Sequence, residues 1–175
     1  EGKASSIQGV PLMASTLVGL FEPTSASVNN INSSSIASSR GIDLSTIKHE
    51  RRCDYETLIK ITIKHDKGER TISGTLIAGN EPSIINIQGI AIESDFPKNA
   101  LYLRNYDKPG FIGDLGNTLG KQNINIASFH LGRRNVGGEA IALVEVDGGV
   151  DEKIISQLRS LPQVARVNTI NFESK

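Results

Sequence analysis

Asn105 and Asp107 stand two residues apart, followed by Lys108, Pro109 and Gly110 and then an apolar series at Phe111, Ile112, Leu115 and Leu119. That series has helical spacing, and the apolar run at 101–103 before it predicts a strand. Pro109 suits a helix's first turn, where its missing N–H goes unneeded. Asp107 is placed to cap that turn. A helix N-terminus leaves N–H groups unpaired, here those of Phe111 and Ile112, and so attracts anions. Amides that seek a carboxylate, beside a carboxylate that seeks an ammonium, make a cradle for an amino acid. Asn105 adds further hydrogen-bonding groups. The plainer alternative is that Asp107 only caps the helix and Asn105 only ends the strand. Gly113, Gly116 and Gly120 lie on one side of this helix. Their low helix propensity would be explained by close packing against a sheet.

The elements around this stretch follow from periodicity. Residues 124–131 read as a strand, 132–138 as a hairpin loop and 140–146 as a strand. Residues 151–161 form a second amphipathic helix, with Ile154, Ile155, Leu158 and Leu161 on one side, Asp151 as its cap and Pro162 at its end. A last strand runs over 164–172. The order strand, helix, strand, strand, helix, strand is the split βαβ, ferredoxin-like arrangement.

Upstream, 11–20 reads as a helix with Pro11 in its first turn. Val28 and Ile31 suggest a short buried strand. Residues 33–41 suggest a short helix closed by Gly41, 42–48 a strand and 50–55 a charged loop. Residues 57–64 alternate, with Ile59, Ile61 and Ile63 on one face. A turn at 66–68, a return strand at 70–77, a turn at 79–82 and a tight hairpin around Gln88-Gly89 follow. The polar stretch 94–98 suits a boundary. The fold class is therefore α+β in two domains: 1–96, of helices and antiparallel strands, and 97–175, a βαββαβ unit.

Composition narrows the function. The 175 residues carry 19 basic and 19 acidic side chains and no Trp. A net charge of zero gives no field for nucleic acid or an acidic membrane, and the few aromatics give no platform for stacked bases. No apolar run approaches the roughly 20 residues of a membrane helix, and no signal peptide is evident. The start at Glu1 suggests a fragment. One cysteine, Cys53, excludes an internal disulfide and fits a reducing, cytoplasmic home. His49 and Cys53 are four apart, as in some metal sites, yet no second pair accompanies them. His65 and His130 read as exposed or rim residues. The glycines at 113, 116 and 120 do not form a dinucleotide fingerprint, and no P-loop or Ser-His-Asp set is present. The chain shows no catalytic, cofactor or metal residues.

Several motifs together carry a resemblance. Residues 105–113 (NYDKPGFIG), 124–127 (INIA), 131–133 (LGR) and 137–140 (GGEA) resemble an ACT regulatory domain. The pattern is closest to the one in the D-3-phosphoglycerate dehydrogenase family. Residues 17–21 (LVGLF), 28–32 (VNNIN), 38–42 (SSRGI) and 73–76 (SGTL) resemble that family's intervening, allosteric substrate-binding-type domain, begun upstream of Glu1. The resemblance implies the regulatory half of an NAD-dependent oxidoreductase whose catalytic domains and NAD site lie elsewhere. It implies L-serine as effector, held at a seam between two ACT domains of a homodimer within a higher oligomer. Asn105 and Asp107 would hold it from one chain, with Gly110, Phe111 and Ile112 at the helix start, and Asn125 would reach it from the other. Two alternatives stay open: a regulatory subunit of an iron-sulfur L-serine dehydratase, or an ACT pair used only for assembly. Some relatives carry cations where Ser83 and Asp95 stand here, so an anion site at the domain boundary is not expected. Lys98, Arg104 and Arg133 read as solvated surface cations.

Overall fold

The computed structural model describes residues 1–50 and 54–172. It divides into two compact units, Glu1–Leu58 and Ile59–Lys175.

In the first unit, helix α1 (Gly9–Phe21) and helix α2 (Ser33–Ser39) meet through Leu17, Phe21 and Ala37, with Met13, Val28 and Ile36 packed alongside. Gly41 ends α2 in the left-handed region at φ +68°. Its N–H bonds to the Ser38 carbonyl at 3.0 Å and the Ile42 N–H to the Ala37 carbonyl at 2.9 Å. This is a Schellman pattern, and it supplies the glycine closure expected at Gly41. Two expected strands do not form. Around Val28 and Ile31 the Asn29 side chain accepts from the N–H groups of Ile31 and Asn32, which folds the chain into a turn and leaves Ile31 exposed. Residues 42–48 are exposed and in no strand, because a strand is stable only where a neighbouring strand and a buried face receive it. The 50–55 loop and the His49–Cys53 pair involve residues 51–53, which lie outside the described residues.

The second unit holds two four-stranded antiparallel sheets. Strands β1 (Ile59–His65), β2 (Gly68–Ile77), β3 (Glu81–Ile87) and β4 (Ile90–Ser94) form a meander in that order. Gln88 (φ 55°) and Gly89 (φ 78°) make its last turn. Two consecutive positive φ values are what a two-residue type I′ hairpin needs.

The second sheet comes from β5 (Asn99–Tyr106), helix α3 (Phe111–Gly120), β6 (Ile126–Arg133), β7 (Glu139–Val146), helix α4 (Glu152–Arg159) and β8 (Val164–Asn171). Its order, β6-β7-β5-β8, is the expected ferredoxin-like one. Both helices cover one face: Leu101, Leu103, Ala142, Val144 and Val167 of the sheet pack on Phe111, Leu115 and Leu119 of α3 and Ile154, Ile155 and Leu158 of α4. Asp151 caps α4 as expected, its Oδ1 accepting from the Ile154 N–H at 2.9 Å.

The other face of that sheet is also covered. Ile141 and Leu143 of β7 pack with Ile84, Ile87, Ile90 and Ile92 of the β1–β4 sheet. Strands expected to group with the N-terminal helices therefore group with the ferredoxin-like unit, and compactness divides the chain after Leu58 where the sequence suggested 96/97. Where β6 crosses β4 the contact is backbone to backbone. A Cβ on Gly132 would lie 2.2 Å from the Ala91 carbonyl oxygen, so only glycine fits without movement. The α3 glycines differ. Nothing lies within 4 Å of a Cβ built on Gly113, Gly116 or Gly120, so sheet packing does not account for them.

Candidate functional site

Strand β5 runs through the middle of its sheet, between β7 and β8. Leu101, Leu103 and Asn105 alternate onto its helix-covered face. Asn105 is thereby carried under the start of α3 and is 3% exposed. Its Nδ2 donates to the Tyr106 carbonyl at 3.1 Å. Its Oδ1 is buried and accepts from nothing among the described residues. An unmet buried acceptor costs on the order of 1–3 kcal/mol, which a donor-bearing ligand could recover.

Asp107 follows at the strand's end, tied by its N–H to the Gly138 carbonyl at 2.8 Å. Its side chain does not cap α3, contrary to expectation. Oδ2 instead accepts from Arg133 Nη1 at 2.8 Å and from the Gly137 N–H at 3.3 Å. These donors, Arg133 foremost, hold the carboxyl below its ordinary pKa. Lys108 and Pro109 stand between Asp107 and the cap position, which explains the missing cap. Gly110 takes the cap position with φ +96°, a left-handed geometry that aims the chain into α3 and leaves Asp107 on the side of the 133–138 loop.

The start of α3 is less open than the spacing implied. The Phe111 N–H reaches the Lys108 carbonyl at 3.5 Å, and the Asp114 N–H bonds to the Gly110 carbonyl at 2.9 Å. The Phe111 side chain is buried in the core, whereas Ile112 is 58% exposed. The sequence reading missed Gln163. Its carbonyl accepts from the Tyr106 N–H at 2.9 Å. Its Nε2 donates to Asp114 Oδ2 at 3.2 Å, and its Oε1 is a second buried acceptor without a partner among the described residues. Nothing local marks Gln163. Only the pairing of Asn105 with Val164 in the sheet brings it here. Asn105 Oδ1, Gln163 Oε1 and the Asp114 carboxylate supply acceptors around the end of β5 and the start of α3, while the Asp107 carboxylate faces Arg133 and the 133–138 loop. That chemistry suits an ammonium group.

Asn125 lies elsewhere. It precedes β6, is exposed, and donates through Nδ2 to Asp147 Oδ2 at 2.8 Å. Arg133 and Asp107 stand at the other end of β6, about eight residues or roughly 25 Å away. One chain does not bring Asn125 to Asp107. In this sheet β5 is central and β6 lies at one edge. Of the other cations, Arg104 pairs with Glu139 at 2.6 Å and sits opposite Arg166 across β5 and β8. The Tyr102 phenol beside them is pushed up in pKa by burial, against the opposing pull of Arg104 and Arg166.

The βαββαβ order, with both helices on one face and a loop-borne polar cluster at the start of the first, defines an ACT-type regulatory fold. The ACT domain model matches residues 99–163, and the D-3-phosphoglycerate dehydrogenase intervening domain model matches residues 1–88. The chain belongs to the D-3-phosphoglycerate dehydrogenase intervening domain family and carries an ACT domain after it. It is 28% identical over 173 residues to D-3-phosphoglycerate dehydrogenase of Bacillus subtilis, covering 98% of this chain and 33% of that one. It is 36% identical over 160 residues to the Methanocaldococcus jannaschii enzyme of the same name, covering 89% of this chain and 30% of that one. A probable L-serine dehydratase beta chain of B. subtilis is 30% identical over 135 residues, covering 77% of this chain and 61% of that one. The chain thus spans about a third of the length of the dehydrogenases it matches. No helix among the described residues is long and apolar enough to cross a membrane.

Proposed function

We propose that this chain is the regulatory part of an NAD-dependent D-3-phosphoglycerate dehydrogenase and binds L-serine between two ACT domains. The observation that carries the reading is the buried, unpartnered Oδ1 of Asn105, two residues along the chain from the Arg133-bound carboxylate of Asp107. An α-ammonium supplies the donors that Asn105 lacks and competes with Arg133 for Asp107. Gly110, Phe111 and Ile112 frame the helix start against which the effector's carboxylate lies. In this proposal the module boundary is near 96/97.

The dimer in this reading uses the edge position of β6 in its sheet. An open edge strand is a pairing surface, and two-fold symmetry is its simplest closure. Two β6 strands paired antiparallel set the start of one against the end of the other. That brings Asn125 of the second copy toward Asp107 and Arg133 of the first. Serine then shifts the attached enzyme by binding one arrangement of the seam better than another. The setting is cytoplasmic serine biosynthesis, with neither nucleic acid nor membrane as partner.

The dehydratase beta chain among the relatives supports a second reading, a regulatory subunit of an L-serine dehydratase. Thermal melts separate binding from its absence. L-serine at about a hundred times its Kd raises stability by roughly 2.7 kcal/mol. The same melts with D-serine, or with Asp107→Ala and Asn125→Ala, should stay flat. Equal shifts in all of them refute the residue assignment. Adding the chain to each of the two catalytic partners then tells the two readings apart.

A further inference from the structure

Three consecutive residues at the end of β6 each hold a different part of the second unit. Gly132 lies under β4, its Cα in such close approach to Ala91 that no Cβ fits. Arg133 donates to Asp107 at 2.8 Å. Arg134 donates through Nη2 to the carbonyl of Gln88, in the β3–β4 turn, at 2.8 Å. Their contacts sort them: Gly132, and Arg134 just past the strand, face the β1–β4 sheet, and Arg133 turns to Asp107. The Arg134 guanidinium also borders Gly89, the second turn residue.

We infer that residues 132–134 are the link that carries occupancy of the effector site to the β1–β4 sheet. This rests on the amino-acid-binding reading given above. The switching element is the Arg133–Asp107 ion pair, which has two states, closed on each other or parted by a ligand's ammonium. Closed, it fixes the end of β6 between the 107 loop and β4. Parted, the strand end loses one of its three anchors. The β3–β4 turn, held through Arg134 by the same three residues, loosens with it. A closed pair and a fixed turn stabilise each other, and the coupling is reciprocal: restraining the turn weakens effector binding.

Hydrogen exchange on the 175-residue chain tests this with and without ligand. Asp107→Asn removes the charge that holds Arg133. The amides of Gln88 and Gly89 should then exchange faster by about threefold or more, while the α4 amides stay unchanged. Saturating L-serine should reproduce that pattern in the wild type. Arg134→Gln should abolish the serine-dependent change at the turn and, by reciprocity, tighten serine binding by about the same factor of three rather than weaken it. Unchanged exchange at 88 and 89 in Asp107→Asn overturns the link. Serine failing to bind, with Asp107→Asn still loosening the turn, removes the effector reading and leaves the mechanical coupling standing. A serine response that persists in Arg134→Gln also overturns the link.

Discussion

Gly132→Ala is the substitution whose cost the structure defines most sharply. The added Cβ would sit 2.2 Å from the Ala91 carbonyl oxygen and 2.9 Å from Ile90 Cγ2, where ordinary contact begins at 3.4 Å. The nearest atom is backbone in a paired strand, so no flexible side chain can swing aside. Strands β6 and β4 must separate by about 1 Å, which loosens the core of Ile84, Ile90, Ile141 and Leu143 between the sheets. Overpacking of this kind costs about 1–3 kcal/mol, and a backbone obstacle belongs at the upper end. At about 2–4 °C per kcal/mol for a chain of this size, Tm should fall by roughly 5–10 °C. Gly113→Ala is the control. Its Cβ meets nothing within 4 Å on an exposed helical position. Alanine there should gain about 0.5–1 kcal/mol and raise Tm by about 1–4 °C. Calorimetric melts of both variants decide the matter. A Gly132→Ala protein melting with the wild type would refute the close crossing of β4 and β6.

Three further outcomes follow from single contacts. Asp107 has its folded pKa depressed, chiefly by Arg133. Its stabilisation is therefore present above the ordinary carboxylate value of 3.8 and lost as pH falls through the depressed one. The Tm gap between wild type and Asp107→Asn should be open at pH 7 and narrow as pH falls below the ordinary carboxylate value; a constant gap argues against the ion pair. Asp151→Ala removes the α4 cap and should cost about 1 kcal/mol in chemical denaturation without changing the slope. Leu103→Ala, at a fully buried position beneath the helices, should cost about 2–5 kcal/mol.

The two halves of the chain were unequally legible. The βαββαβ unit could be read because its strands and helices each show their own period and are punctuated by Pro109-Gly110, the glycines at 137 and 138, and Asp151. Burial then followed the pattern, with Leu101, Leu103, Leu115, Leu119 and Leu158 all in the core. Residues 42–48 carry Ile42, Leu44 and Ile47, but no strand among the described residues receives them. Periodicity reports a possible face and not a partner. The site divided in the same way. Asn105, Asp107 and Gly110 are close in sequence, so their neighbourhood could be seen. Arg133 reaches Asp107 from 26 residues away and Gln163 reaches Asp114 from 49. Only sheet register creates those contacts, and it overrode the local inference that Asp107 would cap α3. Gly132 looked like a loop glycine, because the β4 strand that requires it is 40 residues upstream.

Isothermal calorimetry of L-serine into this chain, with D-serine and glycine as controls, tests the central claim most directly. The account predicts saturable binding, selective for the L form, near one site per chain, and lost in Asp107→Ala and Asn125→Ala. Absence of heat with every amino acid, from a chain that sediments as a dimer, would contradict it and leave the ACT pair as an assembly device.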